Sequence, residues 1–330
     1  MAESASVPRA RDVSLPTATP ESYTPASARR RPYWQTLLTV VVLFAAACLA
    51  GRHWPVLATG AHRLAVADPG WLLAGAAAVA VTWPCSALAQ QGAVPRMLPR
   101  RRLVAAQFAA SAANHVLPAG LGAGLVNLRF LMRCGLTAAR SATALAVKAT
   151  AGGAVRGALT AVLVLACPGV LRLPHVPAGY LAAALGVAGL AALLARRLGL
   201  PWRRTLATLL ADVRAIHARP IRAAALWGGS LAFAVLHAGV LIAVTQAVGL
   251  TLHPAGVALV YLAASGAAAL LPTPGGIGSL DAALAFGLTA AGAPGAAAAS
   301  AVLGYRLLTV WVPLIPGLLV LVVLIRRKAL

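Results

Sequence analysis

The sequence predicts an all-α integral membrane protein with about six full transmembrane helices plus two re-entrant broken-helix hairpins. Of the 330 residues, 60% are hydrophobic and 10% are charged, and the mean hydropathy is +0.84. Soluble domains carry about 25% charged residues, so a water-soluble fold is excluded. Apolar runs of membrane-spanning length recur along the chain, and two of the apolar regions are interrupted by proline and glycine.

The strong positive charge fits a membrane protein better than a nucleic-acid-binding one. The formal net charge of +22 comes from 28 basic and six acidic residues, and the basic residues lie mostly at the ends of apolar runs. This placement is typical of the positive-inside bias and of attraction to anionic headgroups. No basic stripe with interleaved aromatic residues is present, so we expect no nucleic-acid partner.

Cysteine and histidine patterns give no support for metal or redox chemistry. The four cysteines are scattered singly, and the seven histidines form no metal-binding motif. No segment combines paired carboxylates or a His-Asp constellation. We therefore expect no metal, no cofactor and no catalytic residue.

The chain begins with a polar segment and then enters the membrane. Residues 1–32 are rich in Ser, Thr, Pro, Ala and Arg, which predicts a disordered cytoplasmic tail. The transmembrane domain is expected over residues 33–325. Its first crossings are predicted at 34–51 and 71–91, and the arginines that follow the second crossing mark the cytoplasmic face.

Residues 103–134 differ from an ordinary span because Pro118, Gly122 and Gly124 interrupt the apolar run. Two full crossings need about 40 residues, and this region has fewer. Broken backbone is tolerated at membrane depth only where protein or water covers it. We therefore predict a re-entrant hairpin that enters from the cytoplasmic side.

The next crossing, 141–167, carries Lys148 and Arg156 inside its apolar run. They are eight residues apart, about two helical turns, so they share a face. For Lys148, a place in a polar lining and snorkelling to the interface both remain open. After a crossing at 178–195, the arginine-rich residues 202–219 predict an amphipathic helix lying on the inner leaflet.

The last third contains the second interruption. Crossings are predicted at 223–249 and 296–325, the latter with kinks at Pro313 and Pro316, and a second broken hairpin at 257–291. Residues 326–330 form a basic cytoplasmic end, so both termini are expected in the cytoplasm. The turn of the second hairpin contains Pro272, Pro274, Gly275, Gly276 and Gly278.

When the sequence is aligned with itself at an offset of 154 residues, the first proline- and glycine-containing break matches the second. Such internal repeats are typical of inverted-repeat transporters. Half-helix N-termini would then point at a bound anion. With Arg129, Lys148, Arg156 and Arg306, they would suit a phosphate-bearing substrate. The offset aligns Leu117 with Leu271, Pro118 with Pro272, Gly122 with Gly276, Gly124 with Gly278 and Asn127 with Asp281.

The second break also carries a family resemblance. Leu-Pro-Thr-Pro-Gly-Gly-Ile-Gly-Ser-Leu-Asp at 271–281 and Gly-Tyr-Arg-Leu-Leu-Thr-Val-Trp-Val-Pro at 304–313 resemble the signature of the flippase-like transmembrane domain of the lysylphosphatidylglycerol synthase/flippase family, also called the multiple peptide resistance factor family. In the first half, Asn114, Pro118, Gly122 and residues 133–137 also fit. The resemblance covers about residues 35–325.

The sequence departs from that family's pattern at three places. Asp281 stands where the family more often has glutamate, which preserves the charge. Ala123 and Leu125 occupy the region where the first half often has an acidic residue. The soluble aminoacyl-transferring domain is absent from the sequence, so we expect no synthesis of aminoacyl lipid and no enzyme activity.

The resemblance implies a flippase-like transporter that moves an anionic or aminoacylated phospholipid, or a lipid-linked phosphate, between leaflets of a bacterial inner membrane. A separate lipid-modifying enzyme is a candidate partner. A secondary transporter of a small soluble anion, coupled through Asp281, and a non-transporting scaffold remain alternatives. The expected substrate-binding residues are Asp281, Arg306, Tyr305, Lys148, Arg156, Asn127 and Arg129.

Two of these residues have a plainer structural interpretation as well. Asp281 follows a glycine turn, where an aspartate can cap the N-terminus of a helix. Arg129 lies close to the predicted cytoplasmic face, where arginines serve as positive-inside anchors. Arg306 is about 20 residues from the end of its span at Ile325, too deep for easy snorkelling.

Overall fold

The computed structural model describes residues 62–116, 121–166, 214, 218–269, 278–327 and 330. The chain divides into a unit Met1–Ala46, which lies outside the described residues, and a unit Ala47–Leu330, which is described below. The predicted tail, the crossings at 34–51 and 178–195, and nearly all of the amphipathic helix at 202–219 also lie outside. So do five of the predicted turn residues: Pro118, Pro272, Pro274, Gly275 and Gly276.

The described residues are predominantly α-helical, which confirms the all-α membrane class. One π-helical segment, Leu307–Trp311, interrupts the last long helix. The α-helices are α1 Pro69–Ala93, α2 Arg100–Val116, α3 Leu121–Arg133, α4 Ala138–Ala166, α5 Pro220–Ala247, α6 Pro254–Ala269, α7 Ser279–Ala290, α8 Gly295–Arg306 and α9 Val312–Arg326.

Four helices in the described part of the chain are long and apolar enough to cross a membrane. They are α1, α4, α5 and the continuous helix Gly295–Arg326, which joins α8, the π segment and α9. They correspond to the crossings predicted at 71–91, 141–167, 223–249 and 296–325. The protein is therefore a multi-pass membrane protein.

Proline or aspartate residues determine where several of the helices begin. Pro69, Pro220 and Pro254 each open a helix, where the missing N–H costs nothing. The Asp68 carboxylate accepts the N–H groups of Gly70 at 2.7 Å and Trp71 at 3.3 Å, which caps α1.

The helices on either side of the two predicted breaks are short. The α2 and α3 helices have 17 and 13 residues, and α6 and α7 have 16 and 12. Each is shorter than the roughly 20 residues of a full span. At the first break the packing is close: a Cβ on Gly122 would lie 2.0 Å from the carbonyl oxygen of Ala113, so only glycine fits there.

The offset of 154 residues also relates helix ends. Ala93 and Ala247, which end α1 and α5, are 154 positions apart, as are Arg100 and Pro254, which begin α2 and α6. The α1 and α5 helices pack along each other and form the most extensive helix pair in the described part of the chain.

Glycine brings α1 and α5 into backbone contact. A Cβ on Gly92 would lie 2.4 Å from the backbone nitrogen of Leu226, and a Cβ on Gly229 would lie 2.6 Å from that of Ala89. Small residues at a membrane helix interface allow such close packing. The two related helices therefore form the central seam of the described structure.

The π segment marks a local change in the last long helix. It ends two residues before Pro313. This proline lacks the N–H that would bond to the carbonyl of Thr309, and its ring collides with that carbonyl in an α-helix. The sequence predicts a kink at Pro313 but not this wider turn, which immediately follows Arg306.

Candidate functional site

Asp281 and Arg306 form an ion pair between α7 and the last long helix. One carboxylate oxygen of Asp281 accepts the Arg306 Nε–H, and the other accepts the backbone N–H of Gly278 at 2.9 Å. The side chains are 29% and 8% exposed, respectively. Asp281 therefore both pairs with Arg306 and caps α7, acting from the third helical residue. Gly278 has φ +88°, a conformation that favours glycine.

Tyr305, the neighbour of Arg306, belongs to a buried aromatic cluster. Its hydroxyl lies 3.1 Å from His237 Nδ1, and the His237 ring lies nearly parallel to the Tyr261 ring at 6.0 Å between centroids. Tyr305 is 2% exposed, so it does not act as an interfacial aromatic residue. His115, at the end of α2, lies near enough to Asp281 and Arg306 to interact electrostatically with both.

Lys148 anchors a second polar cluster, which joins four helices. Its ammonium donates to Ser86 Oγ on α1 at 2.9 Å and to Gln107 Oε1 on α2 at 2.8 Å. The Gln107 amide donates to Asn127 Oδ1 on α3 at 2.6 Å, and the Asn127 amide donates to the Ala123 carbonyl at 2.8 Å. The partners of Lys148 are thus neutral side chains.

Lys148 and Arg156 lie deep within α4. They stand four residues on either side of Gly152, the middle residue of the helix, or about 6 Å from its midpoint. This depth and the hydrogen bonds of Lys148 place it in the polar lining rather than at an interface. The Arg156 guanidinium carbon lies 6.0 Å from the centroid of the Phe233 ring, a cation–π contact.

No described carboxylate pairs with either of these cations. Asp68 caps α1, and Asp281 is taken by Arg306. A cation at membrane depth without a counter-charge costs roughly 2.5–3.5 kcal/mol on insertion scales. Within the described residues, α4 therefore carries two basic side chains near its middle without an acidic partner.

Two cavities lie beside Lys148. The first, which we call the histidine cavity, has a volume of about 250 Å³ and includes His115 and His237 in its lining. The second, the Gln90 cavity, has a volume of about 360 Å³ and includes Arg156 and Ser230. The two share Ser86, Ala123, Asn127, Lys148 and Phe233.

Gln90 is the most unusual residue of the second cavity. Its side chain is fully buried, yet neither the Nε2 nor the Oε1 atom has a hydrogen-bond partner among the described residues. Leaving a buried donor or acceptor unsatisfied costs about 1–3 kcal/mol. Both amide atoms have almost no accessible surface, so they are packed against protein rather than open to the cavity.

The structure brings together some of the predicted site residues and separates others. Lys148, Arg156 and Asn127 line the Gln90 cavity, as does Gly124. Asp281 and Arg306 form their own pair and are absent from the linings of both described cavities. Arg129 is exposed on α3 and does not line either cavity.

The sequence analysis did not identify Ser86, Gln90 and Gln107. A signal was available, since Ser86 and Gln90 are four residues apart in an apolar run and so share one face of α1. Within the described part of the chain, no three His, Cys, Asp or Glu side chains are grouped so that they could hold a metal ion.

Comparison with known proteins agrees with the resemblance seen in the sequence. No protein of curated function matches the chain. Residues 34–317 match the model of the lysylphosphatidylglycerol synthase transmembrane region. Because this match spans most of the sequence, the chain belongs to the family defined by the lysylphosphatidylglycerol synthase transmembrane region.

Proposed function

We propose that this protein moves a phospholipid, or another lipid-linked phosphate, between the leaflets of a membrane. The observation that carries the proposal is the uncompensated charge of Lys148 and Arg156 beside a cavity near the middle of α4. A phosphate group in the Gln90 cavity would supply the missing negative charge. The acyl chains would remain in the bilayer.

Membership of a family named for a lipid synthase's transmembrane region favours a lipid over a soluble solute as the substrate. The covalent structure of the lipid would not change, so a separate lipid-modifying enzyme would supply or consume it. In this proposal the protein lies in a bacterial inner membrane with both termini in the cytoplasm, as the basic residues at the ends of the spans favour.

The proposal includes an inverted-repeat arrangement of two broken hairpins. The short helices α2 and α3, and α6 and α7, would dip into the membrane from opposite faces. Support comes from the shared offset of 154 residues at the helix ends.

The Asp281–Arg306 pair has a different role from Lys148 in this proposal. Because the pair neutralises itself, it attracts a phosphate less strongly than the unpaired cations of α4 do. It would hold α7 against the last long helix beside the path of the headgroup. The prediction that Arg306 itself contacts the phosphate stays a prediction.

Reconstitution of the full chain in liposomes tests the function. A fluorescent phospholipid placed in one leaflet should reach the other faster with protein than in empty vesicles. Lys148→Gln with Arg156→Gln should lower this rate about tenfold or more, since both cations facing the cavity are lost. Arg129→Gln, which removes an exposed arginine, is the matched control and should keep the rate.

Lipid movement no faster than in empty vesicles would contradict the proposal. Uptake of a soluble phosphate ester driven by a proton gradient, without movement of lipid, would instead establish the secondary-transporter alternative. Both outcomes are measured in the same vesicles, so the two functions are compared directly.

A further inference from the structure

We propose that a groove between α1, α2 and the start of α5 binds an anionic phospholipid that stays in one leaflet. The inference goes beyond the proposed function, because this lipid is held beside the helix bundle rather than moved across the membrane. We call the surface the arginine groove. It has a volume of about 820 Å³, and its lining includes Pro84, Leu88, Gln91, Arg100, Val104 and Arg219.

The arginine groove is separate from the two cavities beside Lys148. Among the described residues, none lines both the groove and either cavity. At about 100° per residue, Leu88 and Gln91 lie on the side of α1 opposite to Ser86 and Gln90, which line the Gln90 cavity. A ligand in the groove is therefore separated from Lys148 by the α1 helix.

The basic residues of the groove lie at the ends of helices. Arg100 begins α2 and Arg219 directly precedes α5, and both side chains are exposed. Among the described residues, no acidic side chain lines the groove. Guanidinium groups bind phosphate through paired hydrogen bonds, whereas an ammonium on the headgroup would meet like charges. The charge at this end therefore complements a headgroup that is negative overall.

The rest of the groove is apolar and follows α1 into the membrane. Its apolar lining comes from α1 and α2 and includes Ala87, Leu88, Leu103 and Val104. Pro84 and Gly92, which both line the groove, are about 12 Å apart along α1. Half of a hydrocarbon core of about 30 Å is about 15 Å. The apolar wall thus covers most of the depth of one leaflet, as an acyl chain does.

Gln91 holds one wall of the groove in place. Its amide donates to the Arg96 carbonyl at 2.8 Å, and its Oε1 accepts the Leu98 N–H at 2.9 Å. These bonds tie residues 94–99 to the end of α1, and the groove is lined in this loop by Val94, Pro95 and Met97. Because the wall is already ordered, a lipid binds without the cost of ordering the loop.

Photocrosslinking of the full chain in phosphatidylcholine nanodiscs tests the inference. Phosphatidylglycerol with a photoreactive acyl chain should label residues 84–88 and 103–104 about tenfold more than photoreactive phosphatidylcholine does, as measured by mass spectrometry of the peptides. Arg100→Gln with Arg219→Gln should remove this preference. Arg101→Gln with Arg129→Gln removes two exposed arginines outside the groove and should keep it.

A second pair of variants tests the apolar wall. Leu88→Trp places a larger side chain in the groove and should lower the labelling of residues 103–104 by either lipid about fivefold, because the acyl chain is displaced. Leu73→Trp makes the same change on α1 outside the groove and should leave the labelling as it is. Leu88 is 48% exposed and Leu73 is 70% exposed, so neither change overpacks the core.

Three results would overturn the inference. One is equal labelling of the groove by the two lipids, and another is a preference that Arg100→Gln with Arg219→Gln leaves unchanged. The third is labelling that Leu88→Trp leaves unchanged, since the acyl chain then lies elsewhere.

Liposome transport separates this inference from the proposed function. Lipid movement no faster than in empty vesicles, with the groove still labelled, would contradict the proposed function alone. Loss of lipid movement in the Arg100→Gln, Arg219→Gln protein, as large as in the Lys148→Gln, Arg156→Gln protein, would make the groove part of the transport path. That result would overturn the claim that its lipid stays in one leaflet.

Discussion

Asn127 and Asp281 occupy corresponding positions in the two halves of the chain, but Asn127 is neutral whereas Asp281 is negatively charged. Asn127 is a neutral amide within the network that holds Lys148. Asp281 is a carboxylate that neutralises Arg306. In the first half, Lys148 therefore lines a cavity without an acidic partner among the described residues. In the second half, Arg306 is bound to Asp281. A single amide-to-acid difference separates a candidate anion site from a structural ion pair.

The largest expected effect comes from breaking the second-half pair. Asp281→Asn would remove the carboxylate that pairs with Arg306 and leave the guanidinium in place. Loss of one partner of a buried pair costs about 3–5 kcal/mol, and we expect about 3 kcal/mol because Asp281 is 29% exposed. The measurement is the free energy of unfolding of the protein in detergent.

Asp68→Asn is the matched control for that measurement. Asp68 caps α1 on an exposed surface, and asparagine caps a helix about as well as aspartate, so the change should be near zero. Equal stability of the two variants would show that the pair contributes no more than a cap.

The seam between the halves should be the next most sensitive feature. Gly229→Ala would place a methyl group 2.6 Å from the Ala89 backbone nitrogen, and overpacking of this kind costs about 2 kcal/mol. The adjacent Gly228→Ala is the control, since its Cβ would meet nothing within 4 Å. Thermal unfolding of both proteins checks this, and a loss of stability in Gly228→Ala alone would place the seam elsewhere.

The smallest expected effect concerns function rather than stability. Asn127→Asp would give the first half the acid of the second half and place a negative charge in the network of Lys148. We expect the phospholipid movement proposed above to fall about tenfold, because the Lys148 cation is then compensated within the protein. Liposome transport measures it, with the neutral Asn127→Ser as the control.

If the Asn127→Asp protein moves lipid as fast as the wild type, the lack of an acidic partner for Lys148 is not what distinguishes the first half from the second. A loss of the same size in Asn127→Ser would assign the effect to the hydrogen bond to Gln107 rather than to charge.

Features that stand out along the sequence were predictable. Four crossings follow from apolar runs of spanning length. The short helices α2, α3, α6 and α7 lie beside the two segments where proline and glycine interrupt such runs. The scarcity of acids marks Asp281 as a residue that needs a partner at membrane depth, and the structure pairs it with Arg306.

Features that depend on the neighbouring helix were not predictable. Gln90 and Gln107 look like ordinary polar residues in the sequence, and only packing shows that one lines a cavity and the other holds Lys148. Arg129 and Lys148 carry the same charge, yet α3 exposes one while the bundle surrounds the other. The sequence predicts a kink at Pro313, but the type of turn depends on tertiary context.

The π segment after Arg306 has a consequence for how one helix serves two environments. A wider turn adds about one residue, which rotates everything beyond it by about 100° relative to a regular helix. Tyr305 and Arg306 face inward before it, whereas Trp311 at its end and Val312 beyond it are each 59% exposed. Conversion of this π turn to a regular α-helical turn would rotate the Arg306 guanidinium by roughly a quarter of a turn relative to the C-terminal part of the helix, and so away from Asp281.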